Sequence, residues 1–390
     1  MKKSLLALAL LGAFTASAFA EPSVTLYGRI DTGLVYTHKN LDNTAGSTDT
    51  FSMDSGVTTG SRWGLKGSED IGNAKVGFVL ESGFNSDDGT SGQNTSGQNN
   101  RLFDREAQVN ISGAYGTLYA GRIATVVSDS GSIGYLGDVS AFPSAFGIVG
   151  NQQGSTGSAY ARYDNTLAYQ TPTFGGLQGA IMYSFKGDTQ VSDSNLKEVA
   201  NARENSGDAD RYLAAGLRYK AGKAAVVLTG DMTMYSNVYS NDSKNVYHDV
   251  DNGYSFILGG NYDFGVAKVF AKATYFDNQV NVLDSFSLIK DARALSTPQA
   301  LALKGWGAEL GTNVPAFGGN FLAAVGYRDA KDVDDGSYKF KRWNAAVGYT
   351  YAFSKRTNVY GLAGYAQEKA NALDRKASGA QVGFGLVHKF

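Results

Sequence analysis

The sequence predicts an all-β chain closed into a 16-stranded antiparallel transmembrane β-barrel. Three observations carry that prediction. Apolar and polar residues alternate with period two through most of the chain. The connections between alternating segments switch regularly between short and long. The first twenty residues have the make-up of an export signal.

That signal comes first in the chain. Lys2 and Lys3 precede an apolar run from Leu5 to Phe14, and Ala18-Phe19-Ala20 supplies small residues at a cleavage-site spacing. The run is too short to span a bilayer as a helix, and no second one follows. Residues 1–20 are therefore expected to be removed, leaving 21–390 as one barrel domain. Cysteine is absent, which excludes a disulfide framework and thiolate chemistry. The formal net charge is −1 and becomes more negative once Lys2 and Lys3 are lost, which points away from nucleic acid as a partner.

The strand segments follow in order. Val24, Leu26, Gly28, Ile30, Leu34 and Tyr36 share one parity, while Thr25, Tyr27, Arg29 and Asp31 fall on the other. Ala74, Val76, Phe78, Leu80 and Phe84 alternate against Lys75 and Glu81. Leu177, Gly179, Ile181, Tyr183 and Phe185 oppose Gln178 and Ser184. Tyr254, Phe256, Leu258, Tyr262 and Phe264 oppose Ser255, Asn261 and Asp263; Phe321, Ala323, Val325 and Tyr327 oppose Arg328. Trp343, Ala345, Val347, Tyr349, Tyr351 and Phe353 form the clearest set. Tyrosine and phenylalanine crowd the segment ends, as an interfacial girdle requires. Any single segment would also suit a half-buried strand of a soluble sheet.

The connections separate those two cases. Seven are short, at 69–73, 113–116, 172–176, 220–223, 263–265, 314–319 and 354–357. Eight are long and polar, near 37–60, 85–100, 123–161, 187–210, 237–252, 277–303, 330–338 and 368–378. Seven short turns and eight long loops join sixteen strands with both ends on the short-turn side, which makes those turns periplasmic and the long loops extracellular. Closure requires the last strand to pair with the first, because an open edge in hydrocarbon leaves backbone groups unsatisfied. Residues 378–390 are expected to zip onto 23–36. Phe390, His388, Leu386, Phe384, Val382 and Ala380 share one parity to the end of the chain. Apart from His388, this spacing resembles the signal by which outer-membrane assembly machinery recognises its clients, carried here by Phe390, Leu386 and Phe384.

The chain also resembles the Gram-negative general porins, the trimeric sixteen-stranded branch of β-proteobacterial type. The matching stretches are "SVTLYGRIDTGL" at 23–34, "SRWGLKGSEDIG" at 61–72, "ISGAYGTLYAGR" at 111–122 and "YDNTLAYQTPTFGGLQGAIMYSF" at 163–185. They continue with "NYDFGVAKVF" at 261–270, "YTYAFSKRTNVYG" at 349–361 and "VGFGLVHKF" at 382–390. The resemblance implies a homotrimer of water-filled pores in the outer membrane, each narrowed by an inward-folded third loop. It implies passive diffusion of small hydrophilic solutes and ions, with membrane lipids and the assembly machinery as partners. The segment "GYLGDVSAFPSAFGIVG" is apolar and glycine-rich for an exposed loop, which suits packing against an inner wall. A loop covering a neighbour on the outer surface is the other reading.

Selectivity in such a pore depends on the charges around its narrowest point. Lumen parity selects Arg29, Arg62, Lys66 and Arg122, with Asp129 and Asp138 of the third loop facing them; a solvated side chain in a wide vestibule is the alternative for each. More positive than negative charge there predicts a weak anion preference. Arg105 shares parity with Ala107, Val109 and Ile111, so it lies above the hydrocarbon or behind a bulge. His38, His248 and His388 are far apart in sequence, and no Ser/His/Asp arrangement accompanies them, so no enzyme activity and no cofactor are expected. The acidic stretch 329–335 lacks the ordered spacing of a calcium loop. A substrate-specific channel on the same barrel, or a barrel-borne hydrolase or adhesin, are the competing functions.

Overall fold

The computed structural model describes residues 23–42, 46–91, 101–142, 162–187, 197–198, 203–207, 209–236, 239–241, 245–247, 251–280, 282–283, 286–295 and 301–390. Residues 1–20, expected to be an export signal, lie outside them. The strands are β1 (Ser23–Asn40), β2 (Ser47–Ser55), β3 (Arg62–Asp70), β4 (Ala74–Gly83), β5 (Glu106–Gly113), β6 (Gly116–Ala124) and β7 (Arg162–Gln170). Then come β8 (Leu177–Ser184), β9 (Lys197–Glu198), β10 (Arg211–Ala221), β11 (Ala224–Met234), β12 (Tyr239–Asn241), β13 (Asn245–Tyr247) and β14 (Gly253–Asp263). The last six are β15 (Lys268–Gln279), β16 (Leu303–Ala316), β17 (Gly319–Asp332), β18 (Lys339–Ala352), β19 (Thr357–Ala370) and β20 (Arg375–Lys389). A helix, α1 (Leu288–Leu295), precedes β16. Strands β9, β12 and β13 form a small separate sheet.

All other strands pair antiparallel into one closed wall. Strands β2 and β3 are two halves of a single wall strand. Both lie along the same side of β1: β2 pairs from Thr32↔Ser55 to Asn40↔Ser47, and β3 from Ser23↔Ser68 to Arg29↔Arg62. Counted together they make sixteen. The interrupting residues 56–61 bend into the lumen.

The exposure pattern is that of a wall in lipid. Along β14, Phe256 and Leu258 are 53% and 55% exposed, while Ser255 on the inner face is 1% exposed. Burying apolar surface inward would reverse that order; only an apolar solvent outside satisfies it. The turns fall where the sequence places them. The link from β16 to β17 is a two-residue turn with Phe317 at φ +52° and Gly318 at φ +77°. Two positive φ values match the right-handed twist of the flanking strands, and the second is free of strain at glycine.

The closing pair runs from Arg29↔Lys389 to Asn40↔Ser378. The seam is therefore shifted relative to the expected 23–36, because strands in a barrel are staggered and residues 23–28 extend below the end of β20. Phe390 completes it: its N–H donates to the Gly28 carbonyl, and the Gly28 N–H donates back to the Phe390 carbonyl, both at 3.1 Å. A Cβ on residue 28 would lie 2.4 Å from Phe390 Cζ, so only glycine lets the ring settle there.

Three loop expectations need correction. Much of 37–60 is strand, since β1 and β2 continue as a hairpin beyond the lipid-facing region. Only residues 371–374 separate β19 from β20, so 368–378 is a tight turn. The segment 277–303 contains α1, and its described residues around the helix fold into the barrel. Its apolar side chains Phe286, Leu288, Ile289 and Ala292 pack with lumen-facing Phe276, Ala330, Phe340, Ala366 and Ala377.

Candidate pore constriction

The third loop leaves β6 and enters the lumen, where residues 125–142 are described. Val126, Val127, Ile133, Tyr135, Leu136 and Val139 pack against the inner faces of Ala168, Met182, Tyr212, Ala214, Val227 and Ile257. Burying a valine- or leucine-sized side chain stabilises by about 1.5–3 kcal/mol, so this seat is firm. The wall makes room with glycines on every second strand, β10, β14, β16 and β18. A Cβ at Gly216 would lie 2.5 Å from Val126, at Gly259 2.7 Å from Val139, at Gly311 2.5 Å from Ala141, and at Gly348 3.2 Å from Phe142. Polar anchors fix the loop's height. Glu106 accepts the Ser132 N–H at 2.7 Å and its hydroxyl at 2.6 Å. Asp138 accepts from Arg218 at 3.0 Å and Lys220 at 2.7 Å.

Opposite this loop stand β1 and β3. Arg29 Nη1 and Arg62 Nη2 both donate to Thr59 Oγ1, at 3.2 and 3.1 Å. Thr59 is held by Asp31, which is buried and accepts the Thr58 N–H at 2.9 Å, the Thr58 hydroxyl at 2.7 Å and the Thr59 N–H at 2.8 Å. The Tyr360 hydroxyl reaches the same carboxylate at 2.7 Å. Residues 56–61 thus form a second inward bend that gathers two guanidinium groups. Lys66 Nζ lies 5.2 Å from the Tyr27 ring centre, a cation–π distance.

The six residues singled out in the sequence divide. Arg29, Arg62, Lys66 and Asp129 line one aqueous space of about 780 Å³ between the loop and β1–β3. Arg122 and Asp138 do not line it. Arg122 donates to Asp164 at 2.7 Å and to the Asp104 carbonyl at 2.6 Å, sharing Asp164 with Arg101. Asp138 pins the loop to β10 through Arg218 and Lys220. Three further charged residues line the space: Glu81, Glu106 and Lys389. Lumen parity marks each, since Glu81 alternates with Leu80 and Lys389 with His388; only their nearness to the loop was invisible in sequence. Arg105 sits just before β5 begins, where strand parity no longer applies, and turns inward to Glu81 at 2.6 Å.

Elsewhere several lumen charges are covered. Lys272 and Glu309 approach to 3.5 Å, both nearly fully buried. Beneath the inserted segment before β16, Arg328 and Glu368 pair at 2.8 Å with no exposed side-chain surface, and Arg342 lies 4.0 Å from the same carboxylate. In the acidic stretch, Asp332 accepts the N–H groups of Asp334 and Asp335 at 3.1 and 2.7 Å. The Ser337 N–H holds the Asp335 carboxyl below its ordinary value. The stretch builds a turn, and among the described residues no group of three His, Cys, Asp or Glu side chains could hold a metal. His38 meets Asp49 at 2.9 Å, and His388 meets Thr357 at 2.9 Å, at opposite ends of β1's neighbourhood; His248 lies outside the described residues.

A closed wall of sixteen strands, apolar outside and charged inside, narrowed by an inserted third loop, defines a channel through an outer membrane. This chain belongs to the Gram-negative porin family, whose sequence pattern matches residues 7–371. It is 33% identical to an outer membrane porin protein of Bordetella pertussis, over the full length of both chains. It is 29% identical to outer membrane porin protein 32 of Delftia acidovorans, covering 98% of this chain and 95% of that one. Among solved structures, the anion-selective porin from Comamonas acidovorans shares the fold with a TM-score of 0.61 at 24% identity, covering 95% of this chain and all of that one. OmpT of Vibrio cholerae in its trimer form has a TM-score of 0.63 at 15% identity, with the same coverage. The protein is an outer-membrane porin, a water-filled path for passive diffusion of small hydrophilic solutes.

Proposed function

We propose that residues 21–390, after removal of 1–20, assemble as a homotrimer of passive pores with a weak preference for anions and no enzymatic activity. Arg29, Arg62, Lys66 and Asp129 form the constriction in this reading, with Glu81, Glu106 and Lys389 beside them. Arg122 and Asp138 act one step back, by fixing the wall and the loop. The observation that carries the reading is the gathering of Arg29 and Arg62 on one hydroxyl beside Lys66, facing a firmly seated loop. Four basic residues, Arg29, Arg62, Lys66 and Lys389, line the space against three carboxylates, Glu81, Glu106 and Asp129, and Arg105 adds a further positive charge at Glu81, so the local balance is positive. The Comamonas porin, itself anion-selective, supports the same sign of preference. Assembly into the outer membrane would use Phe390, Leu386 and Phe384 as recognition signal, with membrane lipid against the apolar face.

The test is the reversal potential of purified protein in planar bilayers across a tenfold potassium chloride gradient. A potential of the sign for chloride preference, shrinking as both salt concentrations rise, is expected because the Debye length falls from about 30 Å at 0.01 M to 3 Å at 1 M. A cation-selective potential would overturn the anion preference; absence of conductance would overturn the channel itself.

A further inference from the structure

We propose that the segment between β15 and β16, built around α1, is a second constriction of this pore, set in the extracellular mouth and fixing the size of solute admitted. The proposal rests on the channel reading above. Its first support is position. Phe276 on β15, Leu303 on β16, Ala330 on β17, Phe340 on β18, Ala370 on β19 and Ala377 on β20 all face inward near the long-loop ends of their strands. The apolar side chains of 282–292 pack on this arc of six neighbouring strands. The segment therefore lies within the mouth, where a loop facing bulk water would have no such contacts.

The second support is how it is tied down. Arg328 Nη1 donates to the Leu283 carbonyl at 2.7 Å, so a wall arginine holds the segment before α1. Arg342 lies 5.6 Å from the centre of the Phe286 ring. Arg375 of β20 bridges Asp291 on the helix, at 2.5 Å, to the Leu41 carbonyl at 2.7 Å beyond β1. Arg293 donates to the Val280 and Leu301 carbonyls, closing the base of the segment on itself. The ties reach the wall on both sides of the helix. A segment held that way narrows the mouth permanently.

The third support is separation from the first constriction. The third loop seats on β7 to β14 and reaches Phe142 against Leu322, Ala346 and Leu362. On the strands the two inserts share, the third loop meets residues farther from the long-loop ends: Leu322 and Ala324 against Ala330 on β17, Ala346 against Phe340 on β18. The two narrowings are stacked. Among the described residues, the charges lining the first, Arg29, Arg62, Lys66, Asp129, Glu81, Glu106 and Lys389, all lie outside the apolar cluster that seats the second. Size and charge selection should thus separate experimentally.

The experiment replaces residues 286–295 with a short Gly/Ser linker in the full chain. Single-channel conductance, liposome swelling with sugars of graded size, and the reversal potential are then measured beside the parent. Widening one of two narrowings in series should raise conductance by roughly 1.5-fold and admit larger sugars, leaving the reversal potential at the parent value. A second pair of variants guards against misfolding of the replacement. Asp291→Arg sets two like charges together and should move conductance and size limit the same way by less, and the exchange Asp291→Arg with Arg375→Asp should restore both. Parental conductance and size limit in the replacement and in Asp291→Arg would overturn the proposal. Equal shifts in Asp291→Arg and in the exchange would also overturn it, by assigning the effect to helix charge instead of helix position. A parent that does not conduct would instead sink the channel reading.

Discussion

The wall from β1 to β5 and the wall from β15 to β19 carry the same alternation, yet their inward charges meet different fates. On the first, Arg29, Arg62 and Lys66 line water. On the second, Arg328, Arg342 and Glu368 are sealed beneath α1 and its flanks. Parity decides which face a side chain takes; loop cover decides whether it meets solvent. A charge in the first region acts on passing ions, while one in the second acts on the fold.

The largest expected effect breaks the sealed side. Glu368→Gln leaves Arg328 and Arg342 without their shared carboxylate, and removing one partner of a buried pair costs about 3–5 kcal/mol. The midpoint of urea unfolding should drop accordingly, while the folded fraction keeps the parent reversal potential. A shifted potential with unchanged stability would invert the contrast between the two walls.

Next in size is Gly216→Val. Its Cβ would fall 2.5 Å from Val126 and 3.2 Å from Tyr135. Overpacking of this kind costs about 1–3 kcal/mol, and here it lifts the third loop from its seat. Lower heat resistance on a semi-native gel and altered conductance are expected together; a normal conductance would show that the loop does not depend on the glycine track.

Arg62→Gln with Lys66→Gln probes the open side. The reversal potential should move toward cations. Stability should fall by about 0.5–1.5 kcal/mol, since Arg62 is largely buried and donates to the Gly60 carbonyl at 3.0 Å and to Thr59 at 3.1 Å, while Glu81 keeps Arg105. Retention of the parent potential would remove both residues from the constriction. Lys389→Gln is the mildest case, on an exposed residue at the end of β20. A small cationward shift should be measurable at low salt and vanish at 1 M, where the Debye length is about 3 Å.

The transmembrane strands were legible because lipid outside and water inside force a strict period of two. Nothing of the kind constrains β2, "STDTFSMDS", which runs above the lipid-facing region and reads as a polar loop. The inserted helix did leave a trace: Leu288, Ile289, Ala292 and Leu295 recur at helical spacing. That trace gave no hint of which way the segment folds. Arg29, Arg62, Lys66 and Asp129 were reachable from parity and loop position. Arg122 and Asp138 satisfied the same criteria but found closer partners in Asp164 and Arg218. Partner choice across the lumen is a three-dimensional fact, and one-dimensional parity cannot resolve it.

The seam between β1 and β20 has a consequence for how the barrel comes into being. Asn40 and Ser378 pair although nearly the whole chain separates them. Loop-closure entropy rises only by about 0.6 kcal/mol for each doubling of length, so this span costs the finished barrel little. Folding speed is another matter, because pairing across such a sequence distance comes late. Until then the sheet has two open edges, each a template for any passing strand. The interval before closure is when the chain is most exposed to aggregation, and mutations at Gly28 that hinder Phe390 from docking would lengthen it.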